Sequence, residues 1–347
     1  MVPAPLTETD LGALDHFLRA QGVARTGELS AELIAGGRSN LTFMVADDGS
    51  KWVLRRPPEY GLTPSAHDMA REYRVVSALA DTAVPVPSVV AITDDASILG
   101  APFQMVEFVG GRVVRSADDL DALGNVKLIK GCADALIRVL VDLHTVDAFS
   151  VGLGDLGKAS GYLERQVRRW GSQWQHVRLD DDPRESDVQR LYSALGRAIP
   201  RSGRTAIVHG DYRIDNVILR AHDATQVRAV LDWELSTLGD PLSDVALMCA
   251  YRHPALDLIL GISAAWTSPR LPDADELAHC YSAVSGQPLA NWGFYMGLAY
   301  FKLAIIAAGI DFRARMMPGE TRNQAGQAVA PLMAAGLASA DLNVSQV

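Results

Sequence analysis

Cysteine, positive charge and long apolar runs are scarce in this chain of 347 residues. Its cysteines, Cys132, Cys249 and Cys280, are odd in number and widely spaced, which favours reduced thiols in a cytoplasm over disulfides or a zinc site. The net charge of −9 argues against nucleic acid or an anionic membrane surface as the main partner. No uninterrupted apolar run approaches the roughly 18 residues of a membrane span, and the N-terminus lacks the basic segment of a signal peptide. We therefore expect a cytoplasmic protein without a nucleic-acid or membrane partner.

Polar residues gather where two apolar runs end, between residues 207 and 234. The first run leads into a His-Gly-Asp turn that ends at Asp211, and Asn216 follows after four residues. The second run, residues 227–231, ends on Asp232. Turns beside short strands would bring these three side chains to one edge. Phosphoryl transfer needs such a set, because one carboxylate meets the attacking hydroxyl while an amide and a second carboxylate bind Mg²⁺.

The spacing of this motif resembles the catalytic loop of protein kinases, in which His-Arg-Asp is followed after four residues by Asn. Asp232 stands where kinases have their metal-binding Asp, although Trp-Glu follows it instead of Phe-Gly. From about Ile34 to about Gly326 the chain resembles the aminoglycoside phosphotransferase and choline kinase family of the kinase-like fold. It is most similar to the subgroup that includes the kinase-like domain fused to some acyl-CoA dehydrogenases.

The resemblance implies an α+β, bilobal protein-kinase-like fold, with an N-terminal lobe of antiparallel sheet and helix and a mainly helical C-terminal lobe. A chain that is 48% hydrophobic can fill two such cores. We expect a nucleotide-binding lobe at residues 1–108 and a catalytic and acceptor-binding lobe at residues 109–347. The main chain of Glu107, Phe108 and Val109, at the predicted hinge, would then contact the adenine edge. A simple strand and turn would give the same pattern.

Further roles follow from the resemblance. Asp211 is the expected catalytic base, and Asn216 and Asp232 are the expected Mg²⁺ ligands, with MgATP bound in a cleft between the lobes. Arg55 stands at the position of the kinase strand lysine, and Glu72 at that of the helix glutamate that pairs with it. The alternative for Arg55 and Arg56 is that both are solvated charges at a strand edge, and the alternative for Glu72 is a surface ion pair with arginines of its own helix. Arg56 is a less favoured phosphate ligand than Arg55.

A glycine-containing turn between two predicted strands is the second candidate for phosphate contact. Gly37 lets backbone N–H groups approach a phosphate, and Ser39 and Asn40 add polar side chains. An ordinary hairpin would have the same sequence pattern, and the turn departs from the Gly-x-Gly-x-x-Gly of protein kinases. We assign phosphate contact to it because the Asp211 motif lies downstream.

The acceptor side is less defined. Trp170 and Trp174, four residues apart on a predicted helix at residues 162–176, share a face and are candidates to line an apolar or cationic acceptor pocket. Ordinary packing is the alternative. Glu234, two residues after Asp232, is a candidate for contact with metal or acceptor.

Three polar residues near the motif are predicted to be structural. His209 braces the turn before Asp211 by resemblance to the kinase-like fold. Asp240 caps a helix that begins with Pro241, and Asp244 lies in its first turn. A supporting contact near Asp211 is the alternative for both acids.

The predicted function is ATP- and Mg²⁺-dependent transfer of the γ-phosphate to a hydroxyl of a small molecule. The alternative is a catalytically inactive, nucleotide-binding regulatory module of the same fold. The sequence leaves open whether the acceptor is an antibiotic, a hydroxyacyl thioester or another metabolite, and whether the chain is a monomer or a homodimer.

Overall fold

The computed structural model describes residues 6–36, 40–57, 69–201, 203–316 and 324–344. These residues form two compact units. The first comprises the described residues up to Gly110 together with Arg228–Ser236, and the second comprises Gly111–Val227 and the described residues from Thr237 onward. The boundary predicted after residue 108 remains a proposal about functional lobes. The predicted α+β architecture, with an antiparallel sheet before a mainly helical region, is confirmed.

The first unit is built on a five-stranded antiparallel sheet with the order β1-β2-β3-β5-β4. Its strands are β1 (Ser30–Gly36), β2 (Leu41–Ala46), β3 (Lys51–Arg56), β4 (Val89–Thr93) and β5 (Phe103–Glu107). Its helices are α1 (Glu8–Ala20), α2 (Met69–Leu79) and α3 (Ala96–Leu99). Alternate residues of the strands, such as Phe43 and Leu54, are fully buried and pack with Leu14 and Leu18 of α1. Helix α2 carries Glu72, which the resemblance to kinases places on a helix.

The second unit is mainly helical. Its helices are α4 (Ala117–Asp121), α5 (Val126–Thr145), α6 (Tyr162–Val177), α7 (Glu185–Arg197), α8 (Pro241–Ala250), α9 (Ala255–Leu260), α10 (Ala274–Ser285), α11 (Trp292–Met316) and α12 (Val329–Val344). Short strands accompany them: β6 (Ala206–Val208), β7 (Val217–Arg220), β8 (Asp223–Val230) and β9 (Thr237–Gly239). The chain passes from the second unit to the first within β8.

Strand pairing fixes the loop that follows β6. β6 pairs antiparallel with β9, with Ala206 opposite Gly239 and Val208 opposite Thr237. Because β9 leads directly into α8, the pairing brings the residues after Val208 beside the first turn of that helix. Asp240 caps α8 by accepting from the Leu242 N–H at 3.0 Å, with Pro241 at the first helical position, as predicted.

By length and composition, helix α11 is long and apolar enough to cross a membrane, although polar residues such as Lys302 interrupt its apolar sequence. However, 72% of its most apolar window is buried inside the protein, as in the core helix of many water-soluble proteins. A single helix of this kind is weak evidence for membrane insertion.

Candidate active site

A short loop after β6 carries two of the predicted functional residues. Gly210 has φ of 85°, a left-handed conformation that glycine adopts without strain, and turns the chain towards Asp211. Asn216 ends a short 3₁₀ helix and donates from Nδ2 to the Asp211 main-chain oxygen at 2.8 Å and to Asp211 Oδ2 at 3.2 Å. We call residues 209–216 the catalytic loop. Because the Asn216 amide nitrogen faces Asp211, its amide oxygen is the atom left for another ligand.

Asp244 in the first turn of α8 holds the start of the catalytic loop. Its carboxylate accepts the N–H groups of His209 and, at 2.8 Å, of Gly210, and lies 3.4 Å from His144 Nε2. Burial favours the neutral acid, but the contacts with His144 and these N–H groups outweigh it and lower the pKa of Asp244. His209 is fully buried, and its Nδ1 accepts the Asp211 N–H at 3.2 Å, in keeping with a structural role.

Two residues of the catalytic loop's surroundings were missed by sequence reasoning. Tyr251 directly follows α8 and donates its hydroxyl to Asp211 Oδ1 in a short hydrogen bond. Lys302 of α11 donates from Nζ to the Gly210 carbonyl oxygen at 3.0 Å. Burial lowers the pKa of Lys302, while the carboxylates of Asp211 and Asp244 oppose that shift. The one available signal for Tyr251 is its position seven residues after Asp244, which puts both side chains on one face of a helix.

Arg213 places positive charge beside Asp211. Its Nε lies 3.4 Å from Asp211 Oδ1, and its Nη2 lies 3.3 Å from Asp215 Oδ2. Burial raises the pKa of Asp215, while the Arg213 guanidinium opposes the shift. Arg213 also lies over the Tyr251 ring, 5.2 Å from its centroid. Asp215 therefore forms an ion pair with Arg213 within the same loop.

The first unit brings together another charged cluster. Arg55 of β3 forms an ion pair with Glu72 of α2, and Gln104 of β5 donates to the second Glu72 oxygen at 2.7 Å. Burial raises the pKa of Glu72, while the Arg55 charge acts in the opposite direction. Arg56 points to the other face of β3, is 6% exposed, and donates to the Leu99 carbonyl oxygen. This geometry leaves Arg55 as the better candidate of the two for a phosphate.

Asp232 lies close enough to Glu72 for its charge to raise the pKa of that residue. It adopts a left-handed conformation, φ 63° and ψ 65°, which Asp tolerates better than most residues. Its Oδ1 is buried and has no hydrogen-bond partner among the described residues. A buried carboxylate oxygen without a donor fits a cation ligand. Glu234 follows in a short 3₁₀ helix and is half-buried.

The other predicted nucleotide contacts have mixed outcomes. Gly37 and Ser39 lie outside the described residues, whereas Asn40 is 6% exposed at the start of β2. In the predicted hinge, Glu107 N–H donates to the Ser88 carbonyl oxygen at 2.8 Å and Phe108 N–H to that of Lys51 at 3.0 Å. An adenine contact here would therefore use a carbonyl group or the Val109 amide.

The two predicted acceptor-side tryptophans differ. Trp174 is fully buried and donates to Glu185 at 2.7 Å, so it packs in the core of the second unit and cannot line an open pocket. Trp170 is half-buried under Lys302, whose Nζ lies 5.7 Å from its ring centroid. Trp170 and Lys302 line a cavity of about 30 Å³ beside Gly210. That volume is roughly the space of one water molecule, so this cavity cannot hold an acceptor.

Among the described residues, no three His, Cys, Asp or Glu side chains form a metal cluster. A divalent cation would therefore need a ligand of another type as well as the acids. The Asn216 amide oxygen is such a ligand, and amide and carboxylate oxygens are the donors that Mg²⁺ prefers.

Comparison with known proteins identifies relatives across most of the chain. A sequence model of the phosphotransferase enzyme family matches residues 30–278. Acyl-CoA dehydrogenase family member 10 of Mus musculus is 36% identical over 307 residues, which cover 87% of this chain and 28% of that protein. The chain thus spans less than half the length of the curated relatives that it matches first.

Comparison with solved structures identifies proteins that share the fold of this chain. A candidate aminoglycoside phosphotransferase from Ralstonia eutropha JMP134 has a TM-score of 0.81 and 32% identity, with 95% of this chain and 98% of that chain covered. A thermostable variant of the aminoglycoside phosphotransferase APH(4)-Ia, bound to ADP and hygromycin B, has a TM-score of 0.62 and 16% identity, with 94% and 97% covered. The second likeness concerns the fold alone.

Proposed function

The chain belongs to the phosphotransferase enzyme family, and from this premise we propose that it transfers the γ-phosphate of ATP to a hydroxyl of a small molecule, with Asp211 as catalytic base. The catalytic loop carries the proposal. Asp211 and Asn216 lie together on it, and the Asn216 amide donates to the carboxylate at 3.2 Å. The solved relative with bound ADP and hygromycin B supports a nucleotide and a hydroxylated acceptor as substrates.

Asp211 orients the acceptor hydroxyl and receives its proton as the new bond to phosphorus forms. Arg55, held by Glu72 and Gln104, binds the phosphates of the nucleotide. Asp244 and Lys302 keep the catalytic loop in place through its N–H and carbonyl groups. Since phosphoryl transfer demands little covalent chemistry from a protein, this positioning and charge neutralisation would supply most of the rate.

Two oxygen atoms of this chain, each considered by itself, have the chemistry of a Mg²⁺ ligand. The Asn216 amide nitrogen donates to Asp211, which leaves its amide oxygen for a ligand, and the Asp232 Oδ1 is buried without a donor among the described residues. We propose these two residues as the Mg²⁺ ligands, and the bound ion would neutralise charge on the phosphates.

The acceptor class is proposed from charge and from the relatives. Arg213 and Lys302 offset part of the acidic charge around Asp211, so these surroundings attract a polycationic antibiotic less than a cluster of acids alone would. The matched relative carries the name of an acyl-CoA dehydrogenase family member. Hydroxylated acyl compounds, including thioesters, are therefore the first acceptors to test, followed by a broader screen of hydroxylated metabolites.

The variant Asp211→Asn tests the catalytic base. We expect kcat with a true acceptor to fall by about 10²–10⁴-fold, because the amide cannot take the hydroxyl proton. MgATP affinity, measured by isothermal titration calorimetry, should stay within about threefold, since the nucleotide ligands are unchanged.

Asp118→Asn is the matched control, because Asp118 is an exposed acid in α4 that contacts no part of the catalytic loop. Its turnover should equal that of the wild type. Full kcat in the D211N variant would remove Asp211 as the base. Binding of MgATP without turnover of any acceptor by the wild type would instead favour the binding module.

A further inference from the structure

The two oxygen atoms of Asp211 have different surroundings. Oδ1 accepts the Tyr251 hydroxyl hydrogen bond and lies 3.4 Å from Arg213 Nε. Oδ2 accepts the Asn216 amide at 3.2 Å. A carboxylate oxygen has two acceptor sites. Oδ1 therefore accepts an aromatic hydroxyl and lies beside a cation, whereas Oδ2 has the amide contact alone among the described residues and keeps an acceptor site for a substrate hydroxyl.

Tyr251 is a permanent donor in this arrangement. Burial raises the pKa of Tyr251 well above its ordinary range, and the neighbouring Asp211 charge adds to the shift. The residue is 6% exposed, and the Arg213 guanidinium covers its ring. Its hydroxyl thus has a fixed position and is protonated at neutral pH.

Helix α8 explains why Tyr251 reaches this place. Asp244 and Tyr251 are seven residues apart, which is two helical turns or about 10 Å along one face. Asp244 binds the N–H groups of His209 and Gly210, and Tyr251 binds the carboxylate of the next residue. One helix therefore fixes both the backbone of the catalytic loop and the side chain of its base.

We propose that Tyr251 is a positioning residue for phosphoryl transfer, which fixes Asp211 Oδ1 so that Oδ2 receives the acceptor proton. This inference rests on the proposed function. In the step, the acceptor oxygen forms a bond to the γ-phosphorus while the bond from that phosphorus to the bridging oxygen breaks, and ADP leaves with the bond electrons. The acceptor proton passes to Oδ2 and is later released to water. Tyr251 keeps its own proton throughout.

The test compares Tyr251→Phe with Tyr295→Phe. Tyr295 is a matched control, because its buried hydroxyl also donates to a carboxylate of the second unit, that of Asp240, at 2.8 Å. In the Y251F variant we expect kcat to fall about tenfold, with KM for ATP within about twofold, because a freely rotating carboxylate is less often correctly oriented. In Y295F we expect kcat within about twofold of the wild type. Equal kcat values in the two variants would overturn the proposal.

A double-mutant cycle separates this inference from the proposed function. The melting-temperature losses of Y251F and Asp211→Ala should not add, since both remove the Tyr251–Asp211 hydrogen bond, whereas those of Y295F and D211A should add. If the losses do not add but no kinase activity is found with any acceptor, the contact stands, and the proposed function is rejected together with a role of Tyr251 in transfer. Additive losses for Y251F and D211A would reject the contact itself, whatever the enzyme assay gives.

Discussion

At the scale of single residues, three acids show three responses to burial. Glu72 has the Arg55 guanidinium, the Gln104 amide and the Trp233 N–H as partners, yet burial and the neighbouring Asp232 charge raise its pKa. Asp244 has two backbone N–H donors and a histidine, and its pKa is lowered despite burial. Asp232 has a buried oxygen without a hydrogen-bond donor among the described residues. Glu72 and Asp244 each have three such partners, so the charges near a buried carboxylate, and not the number of its donors alone, decide the direction of its pKa shift.

The lowered pKa of Asp244 leads to a stability prediction. We expect Asp244→Asn to lower the free energy of unfolding at pH 7 by about 2–4 kcal/mol, because the Asn side chain cannot accept both N–H groups of the loop equally. Chemical denaturation monitored by circular dichroism measures this change. The exposed Asp187→Asn, which removes a surface ion pair with Arg190, should change it by less than about 1 kcal/mol.

The pH dependence of the same variant has a definite sign. A folded-state pKa below the ordinary Asp value of 3.8 means that the Asp244 charge stabilises the fold above about pH 3.8, and that this contribution is lost as the pH falls through the folded-state pKa. The stability difference between the wild type and D244N should therefore shrink below about pH 3.8. A constant difference from pH 7 to pH 3 would contradict this account.

At the scale of secondary-structure elements, strand β3 separates two arginines by the alternation of its faces. Arg55 pairs with Glu72, and its side chain is 20% exposed. Arg56 faces the core, where it donates to the Leu99 carbonyl oxygen and lies 5.7 Å from the Phe43 ring centroid. Arg55 and Arg56 thus have different partners, because successive side chains of a strand point to opposite faces.

The two faces can be tested with a pair of variants. Arg56→Met should lower the free energy of unfolding by about 1–3 kcal/mol, since it removes a charged hydrogen bond to a buried carbonyl. The double variant Arg55→Met/Glu72→Gln should change stability by less than about 1.5 kcal/mol, because it removes both charges of a buried pair.

For ATP affinity, we expect the larger effect from the double variant and the smaller effect from R56M. The double variant should weaken ATP binding by about tenfold or more, whereas R56M should leave it within about threefold at a temperature where the protein is folded. Calorimetric titration with ATP measures both. Loss of ATP affinity in R56M alone would exchange the proposed roles of the two arginines.

At the scale of the whole molecule, the net charge does not describe the charges that surround Asp211. The chain carries a net charge of −9, yet Arg213 and Lys302 lie near the proposed base. These two cations offset the charges of the neighbouring acids Asp211, Asp215 and Asp244. The chain matches 28% and 40% of the length of the first two curated relatives.

Ligand linkage gives a prediction for the whole chain. MgATP at about 100 times its Kd should raise the free energy of unfolding by about 2.7 kcal/mol. In Asp232→Asn, which keeps the size of the side chain and tolerates its left-handed backbone, MgATP should stabilise no more than ATP does in the presence of EDTA. Thermal denaturation with and without Mg²⁺ measures this, and D118N should behave as the wild type. Undiminished Mg²⁺-dependent stabilisation in D232N would exclude Asp232 as a metal ligand.

The sequence by itself determined the local features of this protein. The spacing from Asp211 to Asn216 sets a loop in which one side chain bonds the other, and the alternation of β3 sets the faces of Arg55 and Arg56. The cap at Asp240 follows from residues adjacent to it. Such features are predictable because their partners are at most a few residues away.

Only the tertiary structure decided what surrounds Asp211. Asp244 reaches the loop from 35 residues away, Tyr251 from 40 and Lys302 from 92. It also decided that Trp174 is core while Trp170 meets Lys302, although both lie on one predicted helical face. The pattern of a helix specifies which residues face inwards but not which neighbour they meet. That neighbour depends on how elements far apart in the sequence pack together, and the spacing of residues within one helix does not contain this information.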